Sequence, residues 1–219
     1  MIFGKNLLNA PACLYVNRYA AVLLSSRTLG RVTINAMSER FKTRQWVPFP
    51  VELVFAFFAN PSNLPHLMPP KLEARIEDAR IEPPPPRPPA PSPARRFRSV
   101  AAGVGSEILV SFYPVRWFPR RASWLARITE FEWNSHFTDE QARGPFSQFR
   151  HRHGIQPEVR DGVEGTLVSD AIEFTLPHWL DGRIGGRLVR RQMERMFAQR
   201  QQRLTEILAV ASQQATRRA

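Results

Sequence analysis

The sequence predicts an α+β domain in which a curved antiparallel sheet of about seven strands wraps round a long C-terminal helix. Three observations predict this class. Segments with alternating apolar and polar residues follow one another through the middle of the chain, joined by tight turns. Two short helical patterns come after the first of these segments. One long apolar stripe at helical spacing occupies the C-terminal part.

Length and composition point to one domain with extensions. The chain has 219 residues, of which 43% are hydrophobic, as in ordinary globular proteins. Its lone cysteine, Cys13, excludes an intrachain disulfide and a thiolate-rich metal site. No run reaches the roughly 20 apolar residues that a membrane-spanning helix needs. We therefore expect a cytoplasmic protein, and a monomer.

The two ends of the chain carry most of its net charge of +12. The segment 1–37 contains arginine and serine and no acid, a composition that resembles a mitochondrial transit peptide. The alternative, an upstream start with the domain opening after Met37, is favoured because the ordered pattern begins there. The predicted domain is 38–211, followed by a basic tail at 212–219. The protein is mitochondrial only if the extension is a real transit peptide.

The excess of arginine at the C-terminal end has two interpretations. It is a solvated helix face, or it makes transient contact with an anionic membrane surface. We expect no nucleic-acid partner, because the sequence lacks the clustered aromatic and basic stripe used for base stacking.

The first half of the domain begins with a strand at 40–49, where apolar and polar residues alternate. Apolar residues at helical spacing then predict a helix over 51–58, which ends before Pro61. Ser62 or Asn63 is the expected cap of a second short helix.

The remaining segments are strands, one proline-rich loop and the final helix. The segment 83–94 is predicted to be a surface loop inserted between strands, with a PxxP ligand for an adaptor domain as the alternative interpretation. The helix is predicted from Gly185 to about Ala211. Predicted strands are 72–81, 105–116, 122–131, 136–144, 146–156 and 165–176.

Several motifs resemble one family. The opening PVELVFAFFANPSNL at 50–64 looks like the start of the START-like SRPBCC superfamily, and FTDEQARGPF at 137–146 is similar to a block of its ligand-binding branch. Shorter similar blocks are HRH at 151–153, GTLVSD at 165–170 and FAQR at 197–200. The resemblance covers about 41–208, so it concerns most of the chain.

This resemblance implies the helix-grip fold, with a cavity between the sheet and the last helix. Members of the superfamily include coenzyme-Q-binding START proteins, polyketide cyclases, lipid-transfer domains and plant allergens. One fold hosts many functions, so the resemblance implies a cavity rather than one reaction.

Strand alternation predicts which polar side chains face that cavity. Asp170 shares a strand face with apolar neighbours, as do His151 and His153 on the preceding strand. Arg200 lies within the apolar stripe of the last helix. Burying such groups unpaired is unfavourable, so we expect Arg200 or a histidine to lie opposite Asp139 or Asp170. The predicted ligand-binding residues are Val110, Phe112, Trp124, Ile128, Phe137, Asp139, Gln141, Phe149, His151, His153, Asp170, Ile172, Phe174, Met193, Met196, Phe197 and Arg200.

The predicted function is binding of a small hydrophobic ligand such as a lipid, quinone or polyketide, with transfer of that ligand as an extension of the same role. One alternative is a cyclase, dehydratase or hydrolase, with His151, His153 and Asp170 as catalytic candidates. Others are a cluster that only joins the sheet to the helix, and an interaction domain using the proline loop. His151-x-His153 with a carboxylate suggests a metal site, but nothing in the sequence fixes a third ligand. We therefore expect no metal and no cofactor.

Overall fold

The computed structural model describes residues 38–91, 99–113, 120–178 and 183–218. The predicted extension at 1–37 lies outside the described residues. So do the last part of the proline-rich loop, at 92–94, and the end of the predicted third strand, at 114–116.

Within the described residues the chain forms one seven-stranded antiparallel sheet, four short helical segments and one long helix. This is the helix-grip fold, and the predicted fold class is confirmed. The strands are β1 (Glu39–Val47), β2 (Arg75–Arg80), β3 (Glu107–Phe112), β4 (Ala122–Glu132), β5 (His136–Arg143), β6 (Gln148–Arg160) and β7 (Val163–Thr175). The helices are α1 (Val51–Ala59), α2 (Leu64–Leu67) and α3 (Arg183–Arg218), with 3₁₀ turns at Pro61–Asn63 and Pro70–Leu72.

The sheet has the order β1-β7-β6-β5-β4-β3-β2. Neighbours along the sheet are neighbours along the chain except at β1, which pairs with β7 and so sits at the opposite edge from β2. The longest hairpin joins β6 to β7 through Asp161 and Gly162, whose φ angles are 49° and 76°. Two successive positive φ angles match the right-handed twist of the flanking strands, which explains the tight turn.

The short helices follow from local chemistry. Pro50 precedes α1 and cannot donate a backbone hydrogen bond, so it stands naturally at the start of a helix. The 3₁₀ turn Pro61–Asn63 is capped by Asn60, whose side chain accepts from the Ser62 backbone N–H at 3.1 Å. Of the two predicted caps of the second short helix, Asn63 stands at the N-cap position of α2, although its side chain makes no capping hydrogen bond there. The predicted start of β2 at Leu72 is too early, since Pro70–Leu72 forms a 3₁₀ turn.

Helix α3 is held against β1 by both apolar and polar contacts. The Phe197 ring packs on Phe41 with centroids 5.1 Å apart. One turn further, the Gln201 amide donates to the Thr43 hydroxyl at 2.8 Å, and the Gln45 amide donates to the Gln201 carbonyl at 2.8 Å. The helix runs past the predicted end at Ala211 into the segment predicted as a basic tail.

Two apolar clusters fill the space beneath the sheet. In the first, the fully buried Phe55 of α1 meets Phe131, Trp133 and Phe137 at centroid distances of 5.4, 5.5 and 6.2 Å. The second lies round Phe197, under the N-terminal half of α3. The helices therefore cover one face of the sheet, and a space remains between them and the strands.

The described part of the proline-rich loop is mostly exposed and contacts the β4–β5 turn. The Trp133 indole N–H donates to the Pro85 carbonyl at 2.7 Å, and the Arg87 guanidinium lies 4.3 Å from the Trp133 ring centroid. In the described part of the chain, no helix is both long and apolar enough to cross a membrane.

Candidate functional site

A cavity of about 210 Å³ lies between α1, α2, the sheet and α3, and it opens partly to solvent. Its wall is mainly apolar. Most of the residues predicted to bind ligand line it, because alternation along the strands and the apolar stripe of α3 set their direction. These are Val110, Phe112, Trp124, Ile128, Phe137, Asp139, Phe149, His151, His153, Ile172, Met196, Phe197 and Arg200.

Four other predicted residues lie away from the cavity wall. Asp170 is buried behind the two histidines. Phe174 packs against Phe146 at the end of the sheet, and Met193 belongs to the same apolar cluster. The Gln141 side chain turns back to the β5–β6 connection, where its amide donates to the Phe146 carbonyl at 2.8 Å and its oxygen accepts from the Phe146 N–H.

The sequence did not indicate the wall formed by the short helices. Phe57 and Phe58 of α1, with Leu64 and Met68 near α2, complete the cavity on that side. Their placement depends on how the helices dock on the sheet. Alternation along the strands could have predicted two further lining residues. Ile108 shares a face of β3 with Val110, and Ala126 shares a face of β4 with Ile128.

The register of β5, β6 and β7 brings the polar side chains together. Asp139 on β5 stands opposite His151 on β6, and His153 on β6 stands opposite Asp170 on β7. Directly opposed residues on one face have side chains within contact distance, so these pairs follow from the strand pairing itself.

Asp170 is the buried centre of the cluster. Its Oδ1 atom lies 2.9 Å from His151 Nε2 and 2.9 Å from His153 Nδ1. Arg200 of α3 places a guanidinium nitrogen 3.4 Å from the same oxygen. One carboxylate thus links two sheet strands to the long helix.

Asp139 lies on the other side of the two imidazole rings. Its Oδ1 atom is 3.3 Å from His153 Nε2 and 3.8 Å from His151 Nδ1. Each histidine therefore directs one ring nitrogen to Asp170 and the other to Asp139. The two rings are 3.8 Å apart between centroids, so they are held side by side.

Aromatic rings pack against this polar group beside the cavity. Phe137 stacks on His153 at 4.3 Å, and the Arg200 guanidinium lies 5.1 Å from the rings of both Phe58 and Phe197. Removing water in this way strengthens every electrostatic interaction within the cluster.

The two carboxyl groups are held ionised. Burial alone would raise the pKa of Asp170, but the Arg200 charge and the hydrogen bonds from the histidines lower it well below its ordinary value. Burial likewise opposes ionisation of Asp139, and the hydrogen bond from His153 and the neighbouring positive charges lower its pKa.

The two histidines differ in charge preference. Burial and the nearby His153 lower the pKa of His151, which favours its neutral form. Burial also opposes the charged form of His153, but hydrogen bonds to Asp139 and Asp170 outweigh it and raise the pKa of His153. When the pair takes up a proton, these opposite shifts in pKa favour His153 over His151 as its site.

Comparison with known proteins supports the fold. No family model matches this chain, and no curated protein matches it in sequence. A solved structure of TTHA0849 from Thermus thermophilus matches with a TM-score of 0.51 and 18% identity, covering 80% of this chain and 99% of that one. Protein CV1439 from Chromobacterium violaceum matches with a TM-score of 0.50 and 12% identity, covering 77% and 96%. At such identities the likeness shows the fold alone, and the assignment to a branch of the SRPBCC superfamily stays a prediction.

Proposed function

We propose that this protein binds a small hydrophobic ligand in the cavity between the sheet and α3. The observation that carries the proposal is a cavity of about 210 Å³ with apolar walls and one compact polar cluster at its side. A concave apolar site with a few convergent polar groups is the usual form of a small-molecule site. A cluster that only joined sheet to helix would need no open space beside it.

The cavity volume suggests the size of the ligand. An apolar cavity of about 150 Å³ is large enough to hold benzene. The cavity here is larger, so a single substituted ring or a short branched chain would fit within it. Because the cavity opens partly to solvent, the tail of a longer ligand would extend out through that opening. Lipids, quinones and polyketides that are too long for the cavity would bind in this way.

The polar cluster suggests an oxygen-bearing end on the ligand. Arg200 lines the cavity and offers guanidinium donors, while Asp139 and the histidines line it with both acceptors and donors. A hydroxyl, carbonyl or carboxylate group on an apolar body would find a partner here, and its apolar body would displace poorly held water.

Native mass spectrometry of gently purified protein tests this proposal. We expect a mass above that of the bare chain, which disappears on denaturation, and an organic extract containing a compound of matching mass. A chain that is always recovered at its bare mass, and that also binds no lipophilic probe, would overturn the proposal.

A second candidate function is acid–base catalysis on the bound ligand, as in a cyclase or dehydratase. The observation favouring it is that His151 and His153 both line the cavity and both lie 2.9 Å from Asp170. An imidazole that is held by a carboxylate and faces a bound molecule can take a proton from it or give one to it, as general acid–base catalysis requires. If catalysis occurs, His151→Gln should still bind the recovered compound while no longer converting it, as followed by liquid chromatography and mass spectrometry.

We also propose transient contact with an anionic membrane surface, from which an apolar ligand would be collected. Near the start of α3, Ile184 and Leu188 are 85% and 64% exposed, and Arg187 and Arg191 are exposed beside them. Exposed apolar and basic residues on one helix suit an interfacial contact. Sedimentation with vesicles should show binding to phosphatidylserine-containing but not to neutral vesicles, reduced by Ile184→Ser with Leu188→Ser.

A further inference from the structure

We propose that Asp139, His151 and His153 form a binding site for a divalent first-row transition metal ion on the wall of the cavity. This goes beyond ligand binding and stands on different observations. The sequence offered only His151-x-His153 and left the third ligand open. The structure supplies that ligand by pairing β5 with β6.

The three donor atoms are close enough to share one ion. His151 Nδ1 and His153 Nε2 lie 3.8 and 3.3 Å from Asp139 Oδ1. One ligand atom from each of the three side chains lies within 4.8 Å of the other two. Ligands at about 2.0–2.2 Å from a tetrahedral or octahedral metal are separated by about 3 to 3.5 Å. Small side-chain rotations would therefore close the set around an ion.

The orientation of the imidazole rings is the second observation. The nitrogens facing Asp139 are Nδ1 of His151 and Nε2 of His153, and the opposite nitrogens each lie 2.9 Å from Asp170. Metal-binding histidines usually donate their other N–H to a carboxylate or carbonyl, which fixes the tautomer and directs the lone pair at the metal. Asp170 serves both histidines in this way.

Arg200 completes the support. Its guanidinium lies 3.4 Å from Asp170 Oδ1, which keeps that carboxylate in position and ionised behind the histidines. The metal-binding residues thus rest on a carboxylate that is itself held by the long helix.

The site is reachable and leaves room for a further ligand. All three proposed metal ligands line the cavity, whereas Asp170 does not. Two histidines and one carboxylate leave coordination positions open, and here those positions face the apolar cavity. The polar end of a bound molecule would be placed beside the ion.

The donor chemistry defines the class of metal. Two imidazoles and one carboxylate suit Zn²⁺, Fe²⁺ or Co²⁺, whereas Mg²⁺ and Ca²⁺ prefer oxygen donors alone. The two carboxylates balance the charge of a divalent ion, and Arg200 adds a positive charge. The open position therefore favours an anionic oxygen, from hydroxide or from the bound molecule.

Zinc and cobalt titrations of the metal-free full chain test the site. After treatment with a chelator, isothermal titration with Zn²⁺ should give one strong site per chain, and Co²⁺ should give visible absorption bands. Mg²⁺ should give no strong site. Asp139→Asn should weaken Zn²⁺ binding strongly, and Asp170→Asn should weaken it by about 10- to 100-fold.

The three remaining histidines provide the matched control. His66, His136 and His178 lie outside the cluster, and a variant with all three changed to Gln should bind Zn²⁺ as the wild type does. Variants of the buried cluster are compared only after circular dichroism has shown that they fold.

A measurement on the wild type avoids the question of variant folding. In long-range proton–nitrogen correlation spectra, Zn²⁺ should shift Nδ1 of His151 and Nε2 of His153 to metal-bound values and leave their other nitrogens protonated. Absence of a strong site, or metal-bound signals on His66, His136 or His178 instead, would overturn the proposal. Lipophilic probe binding measured with chelator present reports separately on the apolar cavity, so the two failures are distinguishable.

Discussion

Strands β4 to β7 carry a polar cluster on each face of the sheet, and the two clusters are built alike. On the outer face, Glu130 accepts from Arg150 and Arg152 at 2.8 Å each and from the Thr138 hydroxyl at 2.7 Å. On the inner face, Asp170 is bonded to two histidines and approached by Arg200. Each cluster has a central carboxylate with several donors around it.

The clusters differ in their exposure to water. The Glu130 side chain is 40% exposed, while the Asp170 side chain is 7% exposed. Exposed ion pairs stabilise a fold by about 0 to 1 kcal/mol, because water and salt screen them. Buried ones carry a desolvation cost, and apolar residues of similar volume often stabilise as well or better. A gain in stability is therefore a weak explanation for the inner cluster, and its position beside the cavity agrees with the proposed binding of a ligand there.

The largest contrast should appear when each central carboxylate is neutralised. Asp170→Asn removes the carboxylate that lies 3.4 Å from the mostly buried Arg200 guanidinium, and we expect a loss of roughly 3–5 kcal/mol in the free energy of unfolding. Glu130→Gln, the matched change on the outer face, should cost at most about 1 kcal/mol. Urea unfolding at neutral pH measures both, and equal losses would contradict the comparison.

Acid should reduce the difference in unfolding free energy between wild type and Asp170→Asn. The folded-state pKa of Asp170 lies well below the ordinary value of 3.8, so its stabilising contribution is complete above that pH and is lost as pH falls through the folded pKa. The difference in unfolding free energy between wild type and Asp170→Asn should therefore shrink as pH falls below 3.8.

The pKa of Glu130 is also lowered, chiefly by the Thr138 hydrogen bond, but this group is exposed. The difference in unfolding free energy between wild type and Glu130→Gln should thus change little as pH is lowered. If the difference for Asp170→Asn stayed constant as pH fell below 3.8, the buried carboxylate would not be held ionised as described.

The smallest expected difference between the two clusters is in how salt changes the stability cost of each substitution. At about 1 M salt the screening length falls to about 3 Å, and the attraction within exposed ion pairs weakens, whereas buried pairs are screened much less. The small cost of Glu130→Gln should fall further as sodium chloride is raised, whereas the cost of Asp170→Asn should persist. Urea unfolding at several salt concentrations measures both costs. If both fell to the same extent, the inner cluster would be exposed to bulk water, which would contradict its burial.

Much of this arrangement could be predicted from sequence alone. Alternation of apolar and polar residues predicted which side chains of β6 and β7 point toward the helices. The apolar stripe of α3 identified the helix face that carries Phe197 and Arg200. These are local periodicities, which are repeated along each element and need no tertiary information.

Other features depend on geometry that periodicity does not set. Phe58 and Leu64 reach the cavity only because the short helices dock on the sheet. Gln141 shares a strand face with Asp139 but lies near the strand end, where its side chain bonds to the following turn instead. The pairing of both histidines with both carboxylates required the register between strands.

Binding of a lipophilic probe to a matched pair of variants tests the central claim, that the apolar cavity receives a ligand. Ala126 lines the cavity on β4, while Ala171 belongs to the half-buried outer side of β7. Fluorescence titration with anilinonaphthalene sulfonate should show saturable binding to wild type and to Ala171→Phe, and a loss of at least about 10-fold in affinity for Ala126→Phe, because the added ring fills the cavity. Equal affinity in all three proteins, or no saturable binding in the wild type, would contradict the account.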